Sequence, residues 1–205
     1  MPSDPNKNRA AAIEQRRAQI MHAAMTVFSR MGYGGATMSN VATEAGVAVG
    51  TVYNYFPSKR ELLVAIAENY VIAPFREIVE NRPGNDREFL AAILENRLSL
   101  GLEDITRFLA LINEVQRDPQ LRRRYCEQAL LPVLNKLEEY VRQRMADGTF
   151  REMDPALIVR AVGGMYIGFL LIGQLEGNRT PVNMNNPAQL AREMADLVLD
   201  GVRTR

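Results

Sequence analysis

Residues 37–56 of the chain read Thr-Met-Ser-Asn-Val-Ala-Thr-Glu-Ala-Gly-Val-Ala-Val-Gly-Thr-Val-Tyr-Asn-Tyr-Phe. Thr37 is a good N-cap, and the apolar residues that follow it have the spacing of one helix face. Gly46 favours a sharp end to this first helix. Val52 and Phe56 then share a stripe of a second short helix. The stretch therefore predicts two short helices joined by a tight turn.

The second of these segments carries a conflict between local propensity and context. Residues 51–56 are rich in β-branched and aromatic side chains, which favour a strand. A strand needs a partner, however, and no hairpin signal lies nearby. We therefore predict a helix, since conflicts of this kind are expected where a segment is shaped by function.

Helical patterns also occur on both sides of this stretch. Residues 20–31 show one apolar helix face, which ends at the glycines of residues 32–35. Pro57 is followed by a capping box over residues 58–61. Asp118, Asp154 and Asn186 each precede a proline, a signal for a helix start. The remaining predicted helices are 59–80 with a bend near Pro74, 87–101, 104–117, a segment over 119–146 bent or broken near Pro132, 155–176 and 187–203.

The fold class that these patterns predict is all-α, with about nine helices and no internal repeat. We expect a disordered arm over residues 1–13, a small helical module over 14–74 that contains the paired helices, and a larger helical domain over 75–205. The fifteen-residue apolar run 161–175 is shorter than a membrane span needs, so we expect a buried helix and no membrane partner.

Charge is divided unevenly along the chain. The net charge is +1 overall, but residues 1–60 carry +4 and the remainder carries −3. A basic front part indicates a polyanionic partner for that part alone. The one cysteine, Cys126, permits no internal disulfide, which suits a cytoplasmic location.

The paired helices have the requirements of a helix-turn-helix. Small residues at 42 and 45 allow a close crossing, while Gly50, Thr51, Tyr53, Asn54 and Tyr55 are left for phosphates and base edges. Lys59 lies in the first turn of the following helix, where backbone N–H groups also favour a phosphate.

Residues from about Glu14 to Pro74 resemble the TetR family of transcriptional regulators. The match consists of Phe28-x3-Gly-Tyr, Thr37, Val41-Ala-x2-Ala-Gly-Val, Gly50-Thr-Val-Tyr-x-Tyr-Phe and Ser58-Lys-x-Glu-Leu. The resemblance implies that Thr37, Ser39, Tyr53, Tyr55 and Lys59 contact phosphates. It also implies that Gly50, Thr51 and Asn54 lie nearest the bases. Tyr55 and Tyr53 are alternatively core aromatics, and Lys59 is alternatively a solvated charge at a helix end.

One position departs from the family pattern. Ala48 stands where the family commonly has a serine that caps the recognition helix. Alanine cannot accept that hydrogen bond, which costs about 0.5–2 kcal/mol of local helix stability. We therefore expect the recognition helix to become fully ordered on DNA.

For the larger part of the chain, the resemblance implies dimerisation through the last two long helices. Residues 155–176 are apolar on most sides and must be covered on most sides. Glycines at 163, 164, 168 and 173 would let another helix approach closely. The predicted dimer interface comprises Gly164, Ile167, Gly168, Leu171, Leu190, Met194 and Leu197.

The resemblance also implies a small-molecule pocket, and a lipophilic ligand suits the apolar stripes of residues 87–117. The candidate ligand-binding residues are Arg97, Asn113, Gln116, Tyr125 and Tyr166. The alternative is that Arg97 reaches the surface or joins an ion pair, and that the others are ordinary edges of the core.

The predicted function is a homodimeric repressor that binds a near-palindromic double-stranded DNA operator and is released by a small, lipophilic effector. A ligand-independent regulator or an activator of the same fold is an alternative, and an architectural DNA-binding protein is a remote one. The sequence shows no metal-ligand cluster, phosphate-binding glycine loop or nucleophile motif. We therefore expect no catalytic residues, no metal and no cofactor.

Overall fold

The structure is a computed structural model that describes residues 5–82 and 84–203, without the side chains of residues 5–7, 103–111 and 178. The described residues form ten α-helices and, apart from one isolated bridge between Phe150 and Arg203, no β-structure. The all-α prediction is confirmed. The helices are α1 (Pro5–Gly35), α2 (Met38–Ala45), α3 (Val49–Tyr55), α4 (Lys59–Ile66), α5 (Ala73–Asn81), α6 (Asp86–Arg117), α7 (Pro119–Tyr125), α8 (Leu131–Ala146), α9 (Pro155–Glu176) and α10 (Pro187–Val202).

The chain divides into two compact units. The first is Met1–Asn69 with Thr106–Arg123, and the second is Tyr70–Ile105 with Arg124–Arg205. Within the first unit, α1 packs against α2 and α4, and α2 packs against α3. This division differs from the predicted boundary between residues 74 and 75, and it adds residues 106–123 to the first unit. Sequence order does not reveal that a later segment packs back onto an earlier one.

The predicted disordered arm over residues 1–13 is wrong from Pro5 onward, where α1 begins; the first four residues lie outside the described part. Proline is well placed in the first turn of a helix, and the alanines at 10–12 have the highest helix propensity. A polar start to the chain was therefore compatible with a helix.

The three predicted helix starts at Asp-Pro and Asn-Pro pairs are confirmed. Asp118 Oδ1 accepts hydrogen bonds from the backbone N–H groups of Gln120 and Leu121, at 2.9 and 3.1 Å. The side chains of Asp154 and Asn186 cap α9 and α10 in the same way. Each cap satisfies N–H groups that have no partner inside the helix.

A π-helical turn precedes each of the two internal prolines near which the sequence predicted a bend or break. Residues Ala67–Ile72 form one such turn before Pro74, and residues Cys126–Leu130 form another before Pro132. Proline lacks an N–H and crowds the preceding turn, so the backbone adopts a wider hydrogen-bond pattern there.

The predicted break between residues 101 and 104 is wrong, because α6 is continuous from Asp86 to Arg117. Gly101 stays helical, and its lack of a side chain serves packing. A Cβ atom there would lie 2.2 Å from Leu170 Cδ1, in the buried core of the second unit. Glycine at this position therefore allows α6 and α9 to approach closely.

Candidate nucleic-acid interface and effector cavity

The helix-turn-helix begins at a reciprocal cap. Thr37 Oγ1 accepts a hydrogen bond from the N–H of Asn40 at 3.1 Å, and Asn40 Oδ1 accepts one from the N–H of Thr37 at 3.0 Å. At the other end of α2, Gly46 has φ 65° and ψ 35°, a left-handed conformation that glycine adopts without steric cost. The predicted cap and turn are both confirmed, and they set the direction in which α3 leaves.

Helix α3 has one buried and one exposed face. Val52 and Phe56 are buried against the rest of the first unit, whereas Gly50, Tyr53 and Asn54 are exposed. Tyr53 keeps 49% of its surface exposed, which argues against the alternative that it is a core aromatic. The exposed residues are short or planar and polar, as a helix that enters a major groove requires.

The remaining predicted DNA-binding residues lie around this face. Thr37 and Ser39 are exposed at the start of α2, and Thr51 and Tyr55 are half-buried on α3. The Thr43 hydroxyl donates to the backbone carbonyl oxygen of Ser39 at 3.0 Å, and this hydrogen bond does not involve the Ser39 side chain. Contact of these residues with DNA stays a prediction.

Ala48 is the N-cap of α3 and makes no side-chain capping hydrogen bond. The segment is nevertheless helical over Val49–Tyr55. Backbone bonds from Thr51 and Val52 to the Ala48 carbonyl, with the burial of Val52, support it without the cap. The expectation that this helix becomes fully ordered on DNA is therefore not needed to account for its conformation.

The Lys59 side chain is held inside the first unit. Its Nζ donates to the carbonyl oxygens of Tyr33 at 2.6 Å and Ala36 at 2.8 Å, and it lies 4.3 Å from the centre of the Tyr33 ring. Two of the three ammonium donors are thus used between α1 and α2. This ammonium joins α4 to the end of α1, and its contact with a phosphate stays a prediction.

The first turn of α4 makes two further connections inside the first unit. Ser58 Oγ accepts a hydrogen bond from the N–H of Glu61 at 3.1 Å, so the predicted cap is confirmed. Arg60 pairs with Asp118, the residue between α6 and α7. Burial, together with the nearby charge of Glu114, raises the pKa of Tyr33. No signal in the sequence pointed to the Arg60–Asp118 pair, because 58 positions separate its members.

The second unit contains an apolar cavity. It holds about 550 Å³ of space, counting space open to solvent, and about 70 Å³ that the centre of a water molecule can occupy. Apolar side chains of α6, α8, α9 and α10 line it, among them Ile93, Val162 and Leu199. The predicted apolar stripe of residues 87–101 thus supplies one wall. An apolar space of this kind suits a lipophilic ligand.

A polar cluster lies at one edge of this cavity. The Tyr140 hydroxyl donates to Asp86, and Arg144 Nε lies 3.5 Å from the same carboxylate. Burial, followed by the hydrogen bond to Asp86, raises the pKa of Tyr140. The rings of Phe89 and Phe150 pack edge-on against Tyr140. No signal in the sequence pointed to this cluster, because its members come from distant segments.

Arg97 is buried, with 6% of its surface exposed. Its Nη2 donates to the carbonyl oxygen of Val71 at 2.8 Å, and its guanidinium lies 4.6 Å from the centre of the Phe75 ring. Burial lowers the pKa of Arg97, while the hydroxyl groups of Tyr166 and Tyr125 favour its charge. The alternative that Arg97 reaches the surface is therefore wrong.

The predicted ligand residues separate into two groups. Tyr125 and Tyr166 are half-buried near Arg97 in the second unit, and burial raises the pKa of Tyr166. Asn113 and Gln116 are exposed and belong to the first unit, so their assignment to the pocket is corrected.

The predicted dimer residues also separate. Leu190 and Met194 are buried in the second unit's own core with Leu94 and Leu170, so they are not available to a partner. Leu197, three positions after Met194 on α10, keeps 69% of its surface exposed. The predicted apolar stripe of α10 is present, but its residues Leu190 and Met194 face the core of the same chain.

Helix α9 leaves an apolar face uncovered in the single chain. Gly164 and Leu171 are exposed, Ile167 and Gly168 are half-buried, and Leu175 keeps 88% of its surface exposed. A Cβ atom at Gly164 or Gly168 would meet nothing within 4 Å. Within one protomer α9 is therefore covered on one side, and coverage of its other side by a partner stays a prediction.

By length and composition alone, α9 is apolar enough to cross a membrane. A single helix of this kind is weak evidence for a membrane span, because a helix that packs in a soluble protein can have the same composition.

Comparison with known proteins supports the architecture. The family profile "Bacterial regulatory proteins, tetR family" matches residues 20–66, and "AefR-like transcriptional repressor, C-terminal domain" matches residues 76–201. The fatty acid metabolism regulator protein of Bacillus subtilis is 26% identical over 197 residues, covering 91% of this chain and 95% of that protein.

Two further comparisons are informative. The transcriptional repressor KstR of Rhodococcus jostii is 40% identical over 111 residues, covering 54% of this chain and 45% of KstR, so the match spans less than half of that relative. The crystal structure of the regulator FadR from Bacillus subtilis in complex with stearoyl-CoA has a TM-score of 0.71 at 22% identity, covering 91% of this chain and 99% of that one. The family profiles span most of the chain, which belongs to the TetR family of DNA-binding transcriptional regulators.

Proposed function

We propose that the protein is a homodimeric repressor that binds a near-palindromic operator and is released by a small, lipophilic effector. The observation that supports this most is the two-sided α3, which buries Val52 and Phe56 and exposes Gly50, Tyr53 and Asn54. A symmetric dimer would place two copies of this helix in successive major grooves, about 34–36 Å apart. The basic front part of the chain supplies attraction to the phosphates.

The proposed DNA contacts follow from exposure. Tyr53, Tyr55, Thr37 and Ser39 would contact phosphates, and Gly50, Thr51 and Asn54 would lie nearest the bases. At the start of α4 we assign the phosphate contact mainly to backbone N–H groups, because Lys59 already donates to two carbonyls.

We assign the dimer contact to the uncovered face of α9, with Leu197 of α10 at its edge. Gly164 and Gly168 have space for a neighbouring helix, and Ile167 and Leu171 flank them. Burying this face would remove a large apolar patch from water. The absence of a disulfide-forming pair of cysteines agrees with action in the cytoplasm.

The effector would occupy the cavity of the second unit, which is apolar along most of its length. The relatives that act on fatty acid metabolism, and the stearoyl-CoA complex of FadR, support a lipophilic effector. A coupling of about 1–3 kcal/mol between effector and operator would be enough for release.

The test is DNA binding by fluorescence anisotropy at fixed salt, with the region upstream of the protein's own gene and a scrambled version of it. We expect at least roughly a thousandfold preference for the specific site. Equal affinity for both would favour the architectural alternative. Specific binding that no lipophilic compound reduces would favour the ligand-independent regulator.

Asn54→Ala gives a sharper test of the same helix. Loss of a bidentate base contact should cost about 1–3 kcal/mol and relax preference at one position per half-site. Equal weakening on every sequence would make Asn54 a backbone contact instead.

The dimer assignment has its own test in Leu171→Glu, measured by sedimentation at micromolar concentration. The charge on the α9 face should yield monomers of 23.0 kDa, the mass of one chain, while the thermal unfolding of each chain changes little. If the dimer persists unchanged, the dimer interface does not include this face of α9.

A further inference from the structure

Arg97 is the one charged side chain in the buried class among the residues that the structure describes. A buried cation is costly unless it is paired with an anion or fully hydrogen-bonded. Within the described side chains Arg97 has no carboxylate partner, and every protein acceptor that it uses is neutral. The contacts of its guanidinium therefore show which N–H groups are already used and which are left for a ligand.

The described hydrogen bonds use two of the three guanidinium nitrogens. Nη2 donates to the carbonyl oxygen of Val71 at 2.8 Å, and Nε donates to Asn96 Oδ1 at 3.1 Å. Nη2 also donates to Asn96 Oδ1. Nη1 has two N–H groups and no hydrogen bond to any described residue. An arginine held firmly on one side, with donors left on the other, is arranged to receive a planar anion.

Arg97 and Tyr166 do not line the apolar cavity themselves, but lie one helical turn beyond two residues that do. Ile93 and Val162 line that cavity, and Arg97 and Tyr166 follow them by four positions on α6 and α9. Residues four apart lie on the same helix face, one turn further along. The electrostatic interaction between Arg97 and Tyr166 places both groups at the same end.

Near the first turn of α6, the cavity is lined by groups that do not favour an anion. Asp86 and Tyr140 line it there, and the Tyr140 hydroxyl donates to the Asp86 carboxylate. The cavity is thus apolar along most of its walls and has the Asp86 carboxylate near the start of α6. The buried guanidinium of Arg97 lies one helical turn beyond Ile93, further along α6. Along α6, the path from Asp86 to Arg97 is about 16 Å, because an α-helix rises about 1.5 Å per residue.

We propose that this cavity takes an amphiphilic carboxylate, whose charged group binds Arg97 Nη1 and the Tyr166 hydroxyl and whose apolar tail extends toward Tyr140. The proposal rests on the effector-released repressor proposed above and names the chemical class of its effector. The charged group orients the ligand, and the apolar walls supply most of the area buried on binding.

The experiment compares decanoate with decan-1-ol and methyl decanoate, which share the tail and lack the charge. Binding to the full-length protein is measured by calorimetry at pH 7.5. Wild-type protein should bind decanoate roughly tenfold or more tightly than either neutral compound, because hydrogen bonds to a charged group are the stronger ones. Equal binding of all three compounds, or tighter binding of the neutral ones, would overturn the proposal without any variant being needed.

Two variants and a control locate the charge. Arg97→Met should reduce the preference for decanoate to roughly twofold or less, and Arg97→Lys should retain part of it because the charge stays while the planar fork is lost. Arg87→Met is the matched control, since Arg87 is exposed and paired with Asp196. If Arg97→Met fails to fold, Arg97→Lys and the wild-type comparison still decide.

Operator binding in the same preparations separates the two proposals. If wild-type protein discriminates operator from scrambled DNA but shows no preference for decanoate, the proposed repressor function stands and the carboxylate effector is excluded. If wild-type protein prefers decanoate but does not discriminate between DNA sequences, the carboxylate site stands and the proposed repressor function is excluded.

Discussion

The first unit and the second unit differ in how their functional residues were positioned. In the first unit, the cap at Thr37, the turn at Gly46 and the stripe of Val52 and Phe56 all lie within twenty consecutive residues. In the second, the cavity brings together side chains of α6, α8, α9 and α10. Local chemistry decides the first arrangement, and long-range packing decides the second. Four substitutions test this difference, in order of decreasing effect.

Phe56→Ala should have the largest effect. Phe56 keeps 1% of its surface exposed, and the Arg17 guanidinium lies 4.7 Å from the centre of its ring. Removing the ring leaves a cavity under α3 and should lower the free energy of unfolding by about 3–5 kcal/mol. Chemical denaturation followed by circular dichroism measures this.

Tyr53→Ala is the matched control for that substitution, because Tyr53 lies on the same helix and is exposed. Its free energy of unfolding should change by less than about 0.5 kcal/mol, while its DNA affinity falls. A large loss of stability in Tyr53→Ala would mean that the two faces of α3 are not separate.

Met194→Ala tests the core of the second unit. Met194 keeps 1% of its surface exposed, so the substitution should cost about 2–5 kcal/mol. Leu197→Ala, three positions along the same helix, should leave the stability of each chain nearly unchanged and weaken only dimerisation. If both variants are equally stable, α10 does not face inward as described.

Lys59→Met tests whether this ammonium serves the fold or the DNA. Loss of the bonds to the Tyr33 and Ala36 carbonyls should lower the free energy of unfolding by about 1.5–3 kcal/mol, the usual range for hydrogen bonds to a charged group. The slope of DNA affinity against salt should change by less than about 1. A stable variant with a slope reduced by about 1 would restore Lys59 as a phosphate contact.

Thr37→Ala should have the smallest effect on stability. The threonine hydroxyl caps α2 and forms half of the reciprocal cap with Asn40, so its loss should cost about 0.5–2 kcal/mol. Ser39→Ala is the control, since Ser39 is exposed in the first turn of α2 and does not cap it. Thermal unfolding that is equal in the two variants would show that the cap contributes nothing.

The accuracy of the sequence-based predictions follows the same division. The helix starts at Pro119, Pro155 and Pro187 were predictable, because a capping side chain and a proline act on the backbone beside them. The continuity of α6 was not, because the role of Gly101 depends on Leu170, which is far away in sequence. The polar residues at the front of the chain concealed the start of α1, which the helix propensity of the alanines at 10–12 favours.

The same contrast holds for the candidate sites. The exposed face of α3 was identified from its spacing, and Arg97 was singled out as a polar residue in an apolar stripe. Met194 and Leu190 were assigned to the wrong side of α10, and Asn113 and Gln116 were assigned to a pocket that they do not line. Periodicity shows that a helix has two faces, but not which neighbour covers each face.

By itself, the sequence determined the all-α class, the helix-turn-helix with its cap and turn, and the family resemblance. Each of these depends on interactions between residues within about one or two helical turns of each other. Only the tertiary structure decided that Lys59 is held by carbonyls of α1, that Arg97 is buried without a described carboxylate, and that α9 keeps an uncovered face. These features depend on which distant segments meet, because burial and pairing are properties of the packed chain.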